Sequence, residues 1–181
     1  MLAGAHASGA LMIRPEQRSD HESIGAVVTL AFDDRKIARL VELIRASEHY
    51  VPELALVDEH GGEVVAHVML SYATLERPEP PPASVLLLSP MSVAPGYQRR
   101  GIGSTLVRDV LARADRRREP LVIVEGIPAY YPRFGFEPAR AHGIEPPSPT
   151  IADQAFMVRK LSAYRDELRG RVVYPPAFDI L

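Results

Sequence analysis

The chain has 181 residues, 46% hydrophobic and 24% charged, with a net charge of −2; that describes one globular domain with a sizeable core, and argues against a disordered chain or a general nucleic-acid binder. It has no cysteine, which excludes disulfides, a CxxC redox pair, a thiolate zinc site and a cysteine acyl-enzyme. No apolar run approaches membrane-spanning length, and Met1 to Ala10 lacks a basic start or long apolar segment, so the expectation is a cytoplasmic protein with a flexible N-terminus (1–10) and a single domain over 11–181.

Leu11 to Arg14 is a short apolar run stopped by Pro15 and reads as a first strand. Ser19 or Asp20 is placed to cap a helix whose stripe is Ile24, Val27, Val28 and Ala31. Asp33-Asp34 ends it and caps a second helix, with Ile37, Leu40, Val41 and Ile44 on the apolar face. Leu54 to Val57 and Val64 to Tyr72 read as a hairpin turned at Glu59-His-Gly-Gly62. Arg77 to Ala83 is a proline-rich loop rather than an interdomain linker.

Val85 to Leu88 is a continuous apolar run, the pattern of a strand covered on both faces. Pro90 interrupts it, because proline donates nothing to a sheet ladder, and Met91 to Val93 resume it with some backbone groups released from pairing. Pro95-Gly96 turns the chain into a helix with Ile102, Leu106, Val110 and Gly103, Val107, Leu111, Ala114 on its buried side. Gly101 and Gly103 strip side chains from the helix start, so unpaired N–H groups there face a ligand at the positive end of the helix dipole, beside Arg99 and Arg100. Arg116 to Arg118 reads as a solvated C-terminal turn in preference to an RNA contact.

Leu121 to Val124 is a buried strand ending at Glu125-Gly126, followed by the aromatic segment Tyr130-Tyr-Pro-Arg-Phe-Gly-Phe136. Phe156 to Leu161 is a late strand, Ala163 to Arg169 is helical in composition, and Arg171 to Tyr174 reads as a terminal edge strand able to complete a dimer sheet or cover its own. The histidines show no i, i+4 spacing and no carboxylate pattern, so no metal site is expected.

Glycines at Gly101 and Gly103 also suit plain strand–helix packing, and a nucleotide fold is a second reading. Gln98-Arg-Arg-Gly-Ile-Gly103 is, however, not Gly-x-Gly-x-x-Gly, and no Gly-x-x-x-x-Gly-Lys-Ser/Thr occurs. Gln98, Gly101 and Gly103, placed after a strand and a proline turn, resemble the Gln/Arg-x-x-Gly-x-Gly/Ala signature of the GNAT superfamily of acyl-CoA N-acyltransferases. Tyr131, Gly135 and Phe136 match its aromatic segment, and the Tyr-Tyr-x-Arg-Phe-Gly-Phe form is similar to one bacterial subgroup of predicted N-acetyltransferases. The strong part of the resemblance covers Val85 to Pro138.

That resemblance implies an α/β, three-layer α/β/α fold with a mixed, mostly antiparallel central sheet splayed between strands 4 and 5. It implies acetyl-CoA as cosubstrate, its arm along Met91, Ser92 and Val93 and its diphosphate over Gln98, Arg99, Arg100, Gly101, Ile102, Gly103 and Ser104. The implied reaction is direct acetyl transfer to a primary amine in a ternary complex, with no metal, nucleic acid or membrane partner and a homodimer left open. Tyr131 is the general acid for the departing thiolate, since a phenol with pKa near 10 keeps its proton at neutral pH. For the base, Glu125 ranks first and His67 second, with Ser92 acting through water a further option. Gly126-Ile-Pro128 replaces an asparagine common in the family. The alternative is a non-catalytic acyl-CoA-binding module of the same fold.

Overall fold

Every apolar run picked out above enters one mixed sheet. The computed structural model describes residues 12–181; the expected flexible segment 1–10 and Leu11 lie outside the described residues. The strands are β1 (Met12–Pro15), β2 (Tyr50–His60), β3 (Glu63–Glu76), β4 (Ala83–Val93), β5 (Leu121–Glu125), β6 (Glu137–Pro138), β7 (Ile144–Glu145), β8 (Phe156–Lys160) and β9 (Gly170–Val173). The helices are α1 (His21–Phe32), α2 (Arg35–Arg45) and α3 (Ile102–Arg116). The sheet order is β1-β2-β3-β4-β5-β8-β6, with β9 pairing both β3 and β7. The β4–β5 and β7–β9 pairs are parallel and the others antiparallel.

One face of the sheet is covered by α3, whose Leu106, Val107, Val110 and Ala114 are fully buried against Val68, Leu86 and Val122. The opposite face carries α1 and α2, where Ile24, Val28, Leu40 and Ile44 pack on Ala55, Val57 and Met69. Farther along that face the C-terminal segment closes a second cluster through Tyr164, Leu168, Tyr174 and Phe178. The Asp33-Asp34 break is as expected: Asp33 is left-handed at φ 52°, and the Asp34 carboxylate accepts from the Lys36 N–H at 2.8 Å.

Two local expectations are corrected. Asp20 does not cap α1 with its side chain; its carboxylate turns back to the Gln17 N–H and to Arg14, which satisfy it better than a first-turn amide. Ala163 to Arg169 forms turns, not a helix. Seven residues are too few to offset helix nucleation, and Ser162 instead ties this stretch to Asp115. The terminal strand β9 covers its own sheet, taking the place beside β3 that β2 vacates past Ser71.

The feature that positions the site is where β4 parts from β5. They pair only at Leu86↔Val122 and Leu87↔Ile123. Beyond that point β4 bulges: its register with β3 steps from Leu70↔Leu88 to Val68↔Met91, so Ser89 and Pro90 together oppose Met69. Val93 to Leu88 thus has one edge on β3 and the other facing a gap. Among the described residues no helix is long and apolar enough to cross a membrane, and no group of three or more His, Asp or Glu side chains is placed to hold a metal ion.

Candidate active site

The gap between β4 and β5 opens into a cleft of about 790 Å³. Its floor is Leu88 to Val93 of β4. One wall is the loop Tyr97 to Ser104 at the start of α3, and the other is Glu125 to Ile127 with Tyr130, Tyr131 and Arg133. Ala31, Phe32, Ile37 and Leu40 of α1 and α2 close the far side, with Leu181 at its rim.

The helix start has the form the sequence predicts. Gly101 precedes α3 at φ 84°, a left-handed backbone that glycine adopts without strain, and nothing crowds the position where its Cβ would stand. No side chain caps this helix, and the first bond back is Thr105 N–H to the Gly101 carbonyl at 3.0 Å. The amides of Ile102, Gly103 and Ser104 are therefore left without a backbone or side-chain acceptor at the positive end of the helix dipole. Gly103 serves packing as well: a Cβ there meets Met91 Sδ and Tyr130 Oη at 3.2 Å and Val93 Cγ2 at 3.3 Å. The helix sits this close to β4 because no side chain intervenes. Gln98 lines the cleft, and its Nε2 donates to the Val93 carbonyl at 3.0 Å, which fastens the loop to the strand end. Arg100 rests over the Tyr97 ring at 5.4 Å, and Arg99 is exposed.

Tyr131 is 8% exposed and stands in an aromatic cluster with Tyr130 at 5.2 Å, Phe136 at 5.6 Å and Phe134 at 6.4 Å, all edge-on. Burial, with Tyr130 adding to it, pushes its hydroxyl above the ordinary phenol range. Gly126 makes room for it: a Cβ there lies 2.3 Å from Tyr131 Cε2. Glycine at this position lets the ring seat against the backbone. Glu125 ends β5 at the mouth, exposed, and its Oε2 accepts from Tyr174 Oη at 2.9 Å. Burial and then the Glu125 charge push the Tyr174 phenol up, so it remains a donor.

His67 is brought to a different place. It lies mid-way along β3, fully buried, and is not part of the cleft wall. Its Nε2 is 2.9 Å from Glu16 Oε2. A histidine under a closed sheet cannot meet an incoming amine, which corrects its expected role as a direct base. Glu16 was not singled out by sequence, because nothing at the end of a short first strand signals burial of a carboxylate. Yet its side chain is 1% exposed and accepts four bonds: Arg45 Nε at 2.7 Å, Arg45 Nη2 at 3.1 Å, Tyr50 Oη at 2.8 Å and His67. Burial opposes its charge, but the His67, Arg45 and Tyr50 bonds outweigh that and hold its carboxyl well below the usual range. Arg133 of the aromatic segment lies in the cleft wall, 4.7 Å over the Tyr130 ring, and Tyr174 reaches the cleft mouth through its bond to Glu125.

Residues 12–139 match the family model of the acetyltransferase (GNAT) domain. The chain is 32% identical to the uncharacterized N-acetyltransferase YjhQ of Escherichia coli K12 over 158 residues, covering 86% of this chain and 87% of that protein. A crystal structure of the Escherichia coli GNAT N-acetyltransferase YhbS in complex with CoA matches with a TM-score of 0.84 at 26% identity, over 97% of this chain and 96% of that one. A GNAT acetyltransferase from Brucella melitensis, in complex with acetyl-CoA, matches with a TM-score of 0.76 at 27% identity, over 94% of this chain and 99% of that one.

Proposed function

This chain belongs to the GNAT acetyltransferase family, and from that premise we propose that it moves an acetyl group from acetyl-CoA to a primary amine by direct attack in a ternary complex. The observation that carries the reading is the conjunction of an uncapped α3 N-terminus with a β4 edge freed of β5, both walls of one cleft. It is supported by the CoA and acetyl-CoA complexes of the two structural relatives.

The amides of Ile102, Gly103 and Ser104 hold the diphosphate, with Arg99 and Arg100 adding charge. The backbone of Met91, Ser92 and Val93 aligns the pantetheine arm along the open edge, and one of these amides polarises the thioester oxygen. Acetyl-CoA supplies the activated acyl group. Glu125 takes the proton of the incoming ammonium, which is needed because an alkyl amine of pKa about 10.4 arrives charged. Tyr131 gives its proton to the departing sulfur. The acceptor side, made by Phe32, Ile37, Leu40 and Ile127, favours an amine borne on an apolar body.

Thiol release from acetyl-CoA across a panel of alkyl, aralkyl and polyamine acceptors tests this, with calorimetry against CoA run in parallel. Turnover is expected. Binding of CoA with no thiol release from any amine turns the assignment to an acyl-CoA-binding module; no binding removes it altogether.

A further inference from the structure

Glu125 stands at the cleft mouth, but its own strand does not fix where its carboxylate points. Its backbone is held on one side: Glu125 pairs with Phe156 of β8, and the Gly126 N–H reaches the Ala155 carbonyl at 2.8 Å. On the other side β4 has already parted, the last pair being Leu87↔Ile123. An exposed glutamate at such an edge, with three rotatable bonds, needs a partner to hold it in one direction.

Alternation along β5 decides which face it serves. Val122 and Val124 join the cluster under α3 that contains Tyr131, while Leu121 and Ile123 join the cluster on the opposite face. Glu125 continues the Leu121–Ile123 side, where Tyr174 and Phe178 pack. There the Tyr174 hydroxyl donates to Glu125 Oε2 at 2.9 Å. Tyr174 is itself firmly placed. It follows Val173, which pairs with Thr74 of β3, and precedes Pro175, whose ring sets φ at −63°. Its half-buried ring lies 5.1 Å from that of Phe178, which packs into the clusters on this face. The partner is a phenol and not a cation, so the carboxylate keeps its charge, and with Oε2 engaged Oε1 is left to accept.

We propose that Tyr174 is a positioning residue for the acetyl transfer: its hydroxyl aims the Glu125 carboxylate at the gap, so that the second carboxylate oxygen meets the acceptor ammonium. The proposal rests on the acetyltransferase reading and deepens it. The N–H bond of the ammonium breaks toward Glu125 Oε1, and the freed lone pair on nitrogen forms the N–C bond to the thioester carbon. The C–S bond breaks with its electron pair on sulfur, which takes the Tyr131 proton. The nitrogen sheds its second proton to water, Tyr131 regains one from water, and Glu125 releases its own, so that one proton is released per turnover. Tyr174 keeps its proton throughout and touches no substrate.

Tyr174→Phe is the test, because it removes the hydroxyl and keeps the ring on Phe178. Its melting curve and its KM for acetyl-CoA are expected to match wild type. With 2-phenylethylamine, which arrives as an ammonium, kcat/KM for the amine is expected to fall about 10- to 100-fold. O-benzylhydroxylamine, an acceptor of similar shape that is already neutral at pH 7, has no first proton to lose, and its kcat/KM should change little. A merely structural role would slow both acceptors alike. Glu125→Asp, which draws the carboxylate one methylene back from Tyr174, breaks the same bond from the exposed side and should show the same contrast between acceptors. Tyr174→Phe added to Glu125→Gln should cost nothing beyond Glu125→Gln alone, since a residue that acts through another is not additive with it. Equal losses with both acceptors, additive losses in the double variant, or wild-type turnover of 2-phenylethylamine by Tyr174→Phe overturns the positioning role and leaves the transferase reading standing. A wild-type protein that binds CoA yet acetylates no amine of the panel overturns the transferase reading, and the positioning role with it.

Discussion

Gly126→Ala is the most direct probe of how Tyr131 is held. The added methyl stands 2.3 Å from Tyr131 Cε2 and 2.8 Å from Cδ2, both well inside the 3.4 Å at which ordinary contact begins. The alanine itself is unstrained by backbone angle, so the effect is purely one of space. The ring has little room to yield, with Tyr130 and Phe136 edge-on at 5.2 and 5.6 Å. Overpacking of this kind costs about 1–3 kcal/mol, which for a domain of this size lowers Tm by about 2–12 °C. Catalysis should suffer more than stability. Displacing the Tyr131 hydroxyl by about 1 Å is expected to cost about 100-fold in kcat. The α3 cradle lies on the opposite wall, so CoA affinity by calorimetry should be unchanged. The assay is thiol release at saturating acetyl-CoA with a turned-over amine, paired with a melting curve. A folded Gly126→Ala protein with wild-type kcat refutes the assignment of Tyr131 as the acid.

The same geometry makes further demands at Tyr131, Gly103 and Glu16. Tyr131→Phe should lower kcat at least 100-fold with CoA affinity intact. Since burial raises the Tyr131 pKa, wild-type kcat should show no loss from its ionisation below about pH 10. Gly103→Val fills the 3.2 Å approach to Met91 and Tyr130 and should weaken CoA binding at least tenfold, about 1.4 kcal/mol, by calorimetry. Glu16 has a folded-state pKa below its usual 4.5, so its contribution to stability is full above that value and is lost as pH falls through the folded one. Urea melts should therefore show the Glu16 contribution weakening below about pH 5, added to the smaller loss on acidification from pH 7 that His21 causes because burial lowers its pKa. Glu16→Gln, which leaves Arg45 without its buried partner, should cost about 3–5 kcal/mol at pH 7, a Tm loss of about 6–20 °C. A melt of that variant within 2 °C of wild type contradicts the network described above.

What was legible in the chain was local. Apolar runs marked β4, β5 and β8, and the 3.6-residue stripe marked α3, because burial of a regular element leaves a trace in the sequence. Pro90 announced the bulge, since it lacks an N–H, and Gly101 announced the turn into α3, since few other residues hold φ 84°. Tyr131 and Glu125 were placed by motif and strand end, and both stand in the cleft wall. What failed locally was also informative: helical composition over residues 163–169 lost to a segment too short to nucleate.

The partners, by contrast, were invisible until the sheet assembled. Glu16, Arg45, Tyr50 and His67 come from a strand end, a helix end and two strands, separated by up to 51 residues. No spacing rule links them, and a buried carboxylate looks like any other glutamate in sequence. Tyr174 reaches Glu125 across 49 residues because β9 brings the chain back beside β3. Residue types and periodicity determined which elements form and where the uncapped turn into α3 lies, since those depend on nearest neighbours along the chain. Which histidine is sealed away, and which carboxylate meets it, was decided by the assembled sheet, because only pairing across strands and packing of the helices set what faces what.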